Sequence, residues 1–388
     1  MISVDEARAR LFEAAPRLPS EPVALGACDN RVLAEAVVAK RTQPPFHASA
    51  MDGYALAHGD LPGPLSVVGE AKAGLSYGHP LERGQAVRIF TGAPLPAGAD
   101  TVLIQEDATR SGDQVTATDL PAAGDHVRRA GIDFCEGDTL VAAGRRLAPR
   151  HLALAGAGGH DRLSVARPPV VAILATGDEL VPPGAVAGPD QIVASVTPAL
   201  AAMVQRAGGK VIDLGIAPDD VGMITARAKK GLAEADILVT LGGASVGDHD
   251  LIQPALSQLG IGLDFWKVAV RPGKPLMFAS DPLVLGLPGN PVSGLVCAVL
   301  FLIPLLEAMQ GVPSPGPMLE DGVLGVDLPP AGPRRDHLRA QRRGDKIFPF
   351  STQDSSMLRV LGEADVLLVR EPRDGAREAG SPCRFIRL

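Results

Sequence analysis

Val170-Val171-Ala172-Ile173-Leu174-Ala175-Thr176-Gly177-Asp178-Glu179 decides the fold: an unbroken apolar run that ends in a polar, glycine-containing turn. A short apolar run behind Pro168-Pro169 reads as a strand buried on both faces. The rhythm then repeats. Residues 198–207 carry helical periodicity and close at Gly208-Gly209, 210–214 read as a strand, 219–233 as a helix, and 237–241 as another strand. Alternation of this kind predicts a largely parallel sheet covered by helices.

Outward from that segment the character changes on both sides. Ser3-Val4-Asp5-Glu6 has the form of a capping box, in which the Ser3 hydroxyl and the Glu6 carboxylate each satisfy a free amide. Val4, Ala7, Leu11 and Ala14 follow on one face until Pro16, and a second amphipathic stretch lies around 31–40. Residues 44–59 read as a loop. Residues 101–106 and 114–118 read as two strands of a hairpin turning near Ser111-Gly112-Asp113. Past the Pro/Gly linker at 314–317, short runs such as 366–370 and 384–387 predict a small β-domain. The expected division is 1–168, with a β-rich part at about 46–140, then 169–313 and 314–388. The fold class is α/β plus β: a central parallel-sheet α/β domain, mixed α+β regions before it and a small β-domain after it.

The chain of 388 residues has room for several domains. Aromatic residues are only 3%, so aliphatic side chains must fill the core. A net charge of -7 argues against broad nucleic-acid binding, which needs concentrated positive charge. Cys28, Cys135, Cys297 and Cys383 form no CxxC pair, so reduced thiols are expected rather than a disulfide framework. The first residues lack the basic and apolar regions of a signal peptide. The apolar run 294–306, interrupted by Pro304, is too short to span a bilayer and reads as a buried helix. A cytoplasmic protein without a membrane segment is expected.

Four polar loops follow predicted strands in the α/β segment. They are Thr176-Gly177-Asp178-Glu179, Gly242-Gly243-Ala244-Ser245-Val246-Gly247-Asp248, Arg271-Pro272-Gly273-Lys274, and Pro288-Gly289-Asn290-Pro291. Ligands of open α/β sheets bind beyond the carboxyl ends of strands. Glycines let backbone amides approach an anion, and helix N-termini add partial positive charge. Arg271 and Lys274 supply full charge, while Asp248, Asp250 or Glu179 could hold a divalent ion beside phosphates. Any one of these loops alone is more readily a plain turn; their gathering on one sheet edge points to a phosphate-bearing ligand with a metal. Neither a P-loop nor a GxGxxG fingerprint is present, which disfavours ordinary ATPase and dinucleotide chemistry.

Two further stretches are unusually constrained: Ser49-Ala50-Met51-Asp52-Gly53-Tyr54-Ala55, with its Asp-Gly turn signal, and Thr91-Gly92-Ala93-Pro94. The eight histidines make no HxxxH or HExxH pattern, so histidine-based metal chemistry is not expected. Arg334, Arg335, Arg339, Arg342 and Arg343 read mostly as a solvated hairpin face, and Trp266 as a core residue beside the Arg271 loop.

Taken in order, these stretches resemble the MoeA family, whose eukaryotic relatives include the gephyrin and Cnx1 E domains. Thr176-Gly177-Asp178-Glu179-Leu180, the run from Gly242 to Asp250, Arg271-Pro272-Gly273-Lys274-Pro275 and Leu287-Pro288-Gly289-Asn290-Pro291-Val292-Ser293 carry the likeness together with the two N-terminal stretches. It spans nearly the whole chain and is weakest in the last domain. The resemblance implies a molybdopterin-binding α/β domain and a molybdenum insertase. Its substrates would be molybdate and adenylylated molybdopterin (molybdopterin-AMP), with Mg2+ as cofactor and molybdenum cofactor and AMP as products.

By the same resemblance the ligand would meet Thr176, Gly177, Asp178, Gly242, Gly243, Ser245, Gly247, Asp248, Pro288, Gly289, Asn290 and Pro291. Asp52, Thr91, Glu179, Asp219 and Asp250 would take part in the reaction, with Asp250 and Glu179 holding the metal. Molybdate would meet Arg271, Lys274, Ser293, Arg339 and Ser356. Arg271 stands where the family often has lysine; it keeps the charge and adds a planar fork of donors that suits an oxyanion. A homodimer is implied, with Asp52 and Thr91 reaching the partner's site. Contacts with a molybdopterin adenylyltransferase and with molybdoenzyme-maturation proteins are implied as well. The competing expectations are that adenylyltransferase activity itself, or a non-catalytic gephyrin-like scaffold.

Overall fold

A computed structural model describes residues 1–242 and 251–388. The strand Val170–Thr176 lies in a six-stranded sheet, in the order Lys210–Ala217, Val170–Thr176, Ile237–Leu241, Leu283–Leu287, Pro275–Ser280, Phe265–Lys267. The first four are parallel, and the last two run antiparallel to their neighbours. The parallel expectation therefore holds for the βαβ part only. Leu283–Leu287 follows Pro275–Ser280 after a tight turn, and so short a connection can join only antiparallel strands.

Alternation along each strand divides the core. Val171, Ile173 and Ala175 pack with Ile237, Val239 and Leu241 on one face, whereas Ala172, Leu174 and Leu238 pack on the other. Helix Val196–Arg206 covers the first face, and helices Val221–Glu234 and Ile252–Gln258 cover the second. Both faces are dry, which is why the strands read as continuous apolar runs.

The first face also receives the N-terminal helix Val4–Ala14, through Val4, Ala7 and Leu11. Half of the expected capping box forms. The Glu6 amide donates to Ser3 Oγ at 3.0 Å, but the Glu6 carboxylate turns away to Arg10 at 2.6 Å. The same face is filled by the helical run Pro291–Gln310. At 20 residues this run is long and apolar enough to cross a membrane, yet 72% of its apolar window is buried inside the molecule. It is longer than its apolar stretch because it continues through Pro304. The π-turn Ala298–Leu302 precedes that proline, which has no amide to donate.

The N-terminal region carries a six-stranded sheet, in the order Thr101–Ile104, Gly53–Leu56, Gln85–Ile89, Leu65–Ala71, Gln114–Ala117, Ala108–Ser111. The turn at Gly112-Asp113 is where the sequence placed it, but its first arm is Ala108–Ser111. Thr101–Ile104 pairs instead with Gly53–Leu56 at the far edge. The stretch at 31–40 holds extended backbone paired with Thr139–Val141, and the supposed loop at 44–59 contains the short strands Ala48–Ser49 and Gly53–Leu56.

The C-terminal segment closes into a ring. Arg335–Arg343, Lys346–Pro349, Glu320–Leu324, Pro382–Arg387 and Val366–Arg370 pair in that order, and Val366–Arg370 pairs back with Arg335–Arg343. Outside this small barrel, Val270–Arg271 of the α/β segment pairs in parallel with Arg335-Asp336.

Candidate functional site

The chain runs from Val170–Thr176 to Lys210–Ala217 on one side, then crosses back to Ile237–Leu241 on the other. Between the carboxyl ends of Val170–Thr176 and Ile237–Leu241 the connections diverge, and such a divergence leaves a crevice. A cleft of about 810 Å³ opens there. Thr176, Gly177 and Glu179 form one wall, Gly242 the floor strand's end, and Pro288, Gly289, Asn290 and Pro291 the opposite wall. Asp219, after the edge strand, also lines it. Asp178 anchors that corner by accepting the Asp219 amide at 3.1 Å.

Gly242 is required by its backbone. Its φ is +93°, and a Cβ there would stand 2.8 Å from the Thr176 carbonyl oxygen. Two helix N-termini also reach the cleft. Ser195, Val196 and Thr197 begin helix Val196–Arg206, while Asn290 and Pro291 begin helix Pro291–Cys297. Neither Ser195 nor Asn290 caps its own helix with a side-chain hydrogen bond, so both helix ends turn partial positive charge toward the cleft, although in the second Pro291 has no amide and the Val292 amide is taken by the Ser355 carbonyl. The Ser195 end was not singled out in the sequence, although Ser-x-Thr-Pro ahead of an apolar period is a helix-start signal.

The barrel supplies the remaining edge. Ser356 lines the cleft, and Ser355 fixes its loop: the Ser355 carbonyl accepts the Val292 amide at 3.1 Å, and its hydroxyl accepts from Asn290 Nδ2 at 3.1 Å. Asp354 takes both the amide and the hydroxyl of Ser356, at 2.8 and 2.6 Å, and these bonds hold its carboxyl below the usual range.

None of Arg271, Lys274, Ser293 and Arg339 is among the described residues lining the cleft. Arg271 and Lys274 are exposed on a turn whose Gly273 has a φ of +111°; a Cβ there would overlap the Cys297 sulfur. Ser293 is buried beneath that turn, its carbonyl oxygen 3.7 Å from where the same Cβ would lie. Arg339, the one arginine of its cluster expected at the site rather than on a solvated face, is 1% exposed. It donates to the Asp354 carbonyl at 3.0 Å through Nη2, while its Nε has no hydrogen-bond partner. Burial lowers the Arg339 pKa, and the nearby Arg271 charge adds to that shift. The two arginines thus stand close enough to repel, an arrangement that favours a shared anion.

Asp52 and Thr91 form a separate unit in the N-terminal sheet. Thr91 donates both its amide and its hydroxyl to Asp52 Oδ1, at 2.8 and 2.7 Å, which lowers the carboxyl pKa. Arg88 lies between the Tyr54 and Phe90 rings at 5.1 and 4.8 Å and donates to the Gly53 carbonyl beside Asp52. Neither Asp52 nor Thr91 is among the described residues lining the cleft.

Gly243, Ser245, Gly247, Asp248 and Asp250 lie outside the described residues. Among the described residues no group of three or more His, Cys, Asp or Glu side chains is placed to hold a metal. Glu179 and Asp219 nevertheless present exposed carboxylates to one cleft. Trp266 packs against the second face of the sheet, as expected of a core residue.

Comparison with known proteins covers all three regions. Residues 2–159 match a model of the MoeA N-terminal region (domains I and II), 172–308 a probable molybdopterin binding domain, and 321–388 the MoeA C-terminal region (domain IV). The molybdopterin molybdenumtransferase of Nostoc sp. is 37% identical over 328 residues, 80% of this chain and 75% of that protein. That of Haemophilus influenzae is 35% identical over 317 residues, 80% of this chain and 78% of its own length. Two structures of molybdopterin biosynthesis MoeA protein from Pyrococcus horikoshii superpose with TM-scores of 0.84 and 0.88, at 28% and 25% identity. They cover the whole of this chain and 99% and 100% of their own.

Proposed function

The chain belongs to the MoeA family of molybdopterin molybdenumtransferases, and on that premise we propose that it inserts molybdenum from molybdate into adenylylated molybdopterin, with cleavage of the adenylyl bond. It is a transferase of molybdenum cofactor biosynthesis. The observation that carries the finer reading is the junction of two features. A cleft lined by two helix N-termini extends to Pro275, which follows the Arg271 turn, and to Ser356 of the barrel.

The physical problem is to hold a dianion beside a ligand already bearing a negative diphosphate. In this reading the amides of Val196, Thr197 and Asn290 meet the phosphates, and Gly242 lets the backbone approach them. Arg271, Lys274, Arg339, Ser293 and Ser356 receive molybdate. Holding both reactants together removes association entropy from the barrier. The dithiolene's two thiol protons leave with one oxo oxygen as water, and a water is consumed in releasing AMP, so the exchange balances.

Glu179 and Asp219 match the donor set that Mg2+ takes beside substrate phosphates, namely one or two carboxylates with the rest from ligand and water. Asp250, which lies outside the described residues, is the acid that the family resemblance pairs with Glu179 for the metal. Bound among them, magnesium would offset the diphosphate charge.

Asp52 and Thr91 are assigned to the cleft of a second copy in a homodimer. Their doubly bonded geometry, and their absence from the described lining of this chain's own cleft, support that role. Mixed dimers of Asp52→Ala and Asp250→Ala chains then regain one intact site; no recovery of activity counts against sharing.

The decisive test supplies purified protein with molybdopterin-AMP, molybdate and Mg2+, and measures AMP release and reconstitution of a molybdoenzyme. Molybdate-dependent AMP release is expected. Unchanged pterin, or AMP release indifferent to molybdate, overturns the reading. An adenylyltransferase would instead act on ATP and free molybdopterin, and that reading leaves the barrel's Ser356 at the cleft without a purpose.

A further inference from the structure

Asp336 is a buried acid among arginines. It sits at the seam between the α/β segment and the barrel, 5% exposed, with Arg271, Arg334 and Arg370 acting on its charge. Its Oδ1 has no hydrogen-bond partner. Its Oδ2 stands 3.9 Å from Arg271 Nη1, too far for a hydrogen bond but close enough for strong attraction where water is scarce. A buried carboxylate with no hydrogen bond to either oxygen among the described residues is costly, so its position calls for a purpose.

The backbone explains how it meets Arg271. The two are register partners in the parallel pairing of Val270–Arg271 with Arg335-Asp336. The side chains share a short tether, yet Arg271 remains about half exposed and could extend into solvent. Arg339, on the same barrel strand, repels it. Without an opposing charge, Arg271 would leave Arg339 for water.

We propose that Asp336 is a positioning residue, whose carboxylate draws the Arg271 guanidinium back against the barrel so that Arg271 and Arg339 present their charge to one oxyanion. It acts through Arg271 rather than on the substrate, which its negative charge would repel. This inference rests on the oxyanion reading of Arg271 and Arg339 given above.

A double-mutant cycle on the full-length protein tests it, using Asp336→Asn, Arg271→Ala and the pair. The molybdate concentration for half-maximal AMP release is measured alongside kcat at saturation. Asp336→Asn keeps the shape and removes the charge. It is expected to raise the half-saturating molybdate about tenfold with kcat preserved, and the double variant should be no worse than Arg271→Ala alone. Asp336→Glu, which keeps the charge, should recover most of the affinity.

An Asp336→Asn protein that binds molybdate as well as or better than the parent overturns the proposal. So does the same additional loss in the Arg271→Ala background, since that marks a structural defect independent of Arg271. If Arg271→Ala itself leaves molybdate dependence unchanged, the oxyanion reading fails. The crystal structure of Asp336→Asn then still decides the role of Asp336: an Arg271 guanidinium in its original place refutes it, and one displaced toward solvent supports it.

Discussion

Asn290 Nδ2 donates to Ser355 Oγ at 3.1 Å, across the seam between the α/β segment and the barrel. The bond joins the start of helix Pro291–Cys297 to the loop that carries Ser356 into the cleft. Asn290 therefore caps a neighbouring domain rather than its own helix.

Breaking that bond should cost function more visibly than stability. A neutral hydrogen bond contributes about 1 kcal/mol, which corresponds to roughly a fivefold change in an equilibrium constant. Asn290→Ala is expected to raise the half-saturating concentration of the adenylylated pterin by about that factor, measured by AMP release. Ser355→Ala should give the same increase, and the two together no more than either alone.

Thr91→Val keeps the amide bond to Asp52 and removes the hydroxyl bond. The Asp52 pKa, lowered first by the amide and then by the hydroxyl, should move back toward its ordinary value in a carboxyl NMR titration. A depressed acid stabilises the fold above its unfolded pKa, and that contribution is lost as pH falls through the folded value. The variant should accordingly lose less stability than the parent on acidification below about pH 4.

His337 gives a larger pH effect of the same sign for a different reason. Its ring is 2% exposed, and burial, reinforced by Arg335 and Arg8, pushes its pKa down to about 3 from 6.5. Between those values the unfolded chain takes up a proton that the folded chain refuses. Stability from this group is complete above pH 6.5 and falls toward pH 3, by up to about 1.4 kcal/mol per pH unit. His337→Leu also removes Nδ1, which has no partner. Urea unfolding at pH 7.5 and pH 5 should show a smaller difference for this variant than for the parent.

Gly273→Ala should damage the Arg271 turn twice over, through the left-handed φ and through overlap with Cys297. Overpacking and strain of this kind typically cost about 1–3 kcal/mol each. Lower thermal stability and weaker molybdate dependence are expected. Adding Cys297→Ala should relieve the overlap but not the backbone strain, so recovery should be partial.

The α/β domain was legible because its strands are dry on both faces. Val170–Thr176 and Ile237–Leu241 show as solid apolar runs, and the glycines that end them mark the cleft. The N-terminal sheet was harder to read, since its strands are short and the same turn at Gly112-Asp113 suits either of two preceding arms. Only long-range pairing with Gly53–Leu56 places Thr101–Ile104. Glu179 was legible as an acid in a strand-end loop, and Asp219 only through the family resemblance. Asp336 was not: in Arg334-Arg335-Asp336-His337 it resembles an acid relieving charge on a solvated face. Its burial follows from closure of the barrel, which no local pattern reports. Ser355 was hidden for the same reason, as its partner Asn290 is 65 positions away.

The pairing of Val270–Arg271 with the barrel has a practical corollary for dissecting the protein. Cutting the chain at the linker would leave residues 1–313 with the N-terminal helix still on the sheet but strip the arginine turn of its adjoining strand. Such a fragment should bind the pterin nucleotide more weakly, having lost Ser355 and Ser356, and should lose its response to molybdate. On the proposed reading, the metal-oxyanion half of the chemistry would belong to no single module and would arise only where two of them are stitched together.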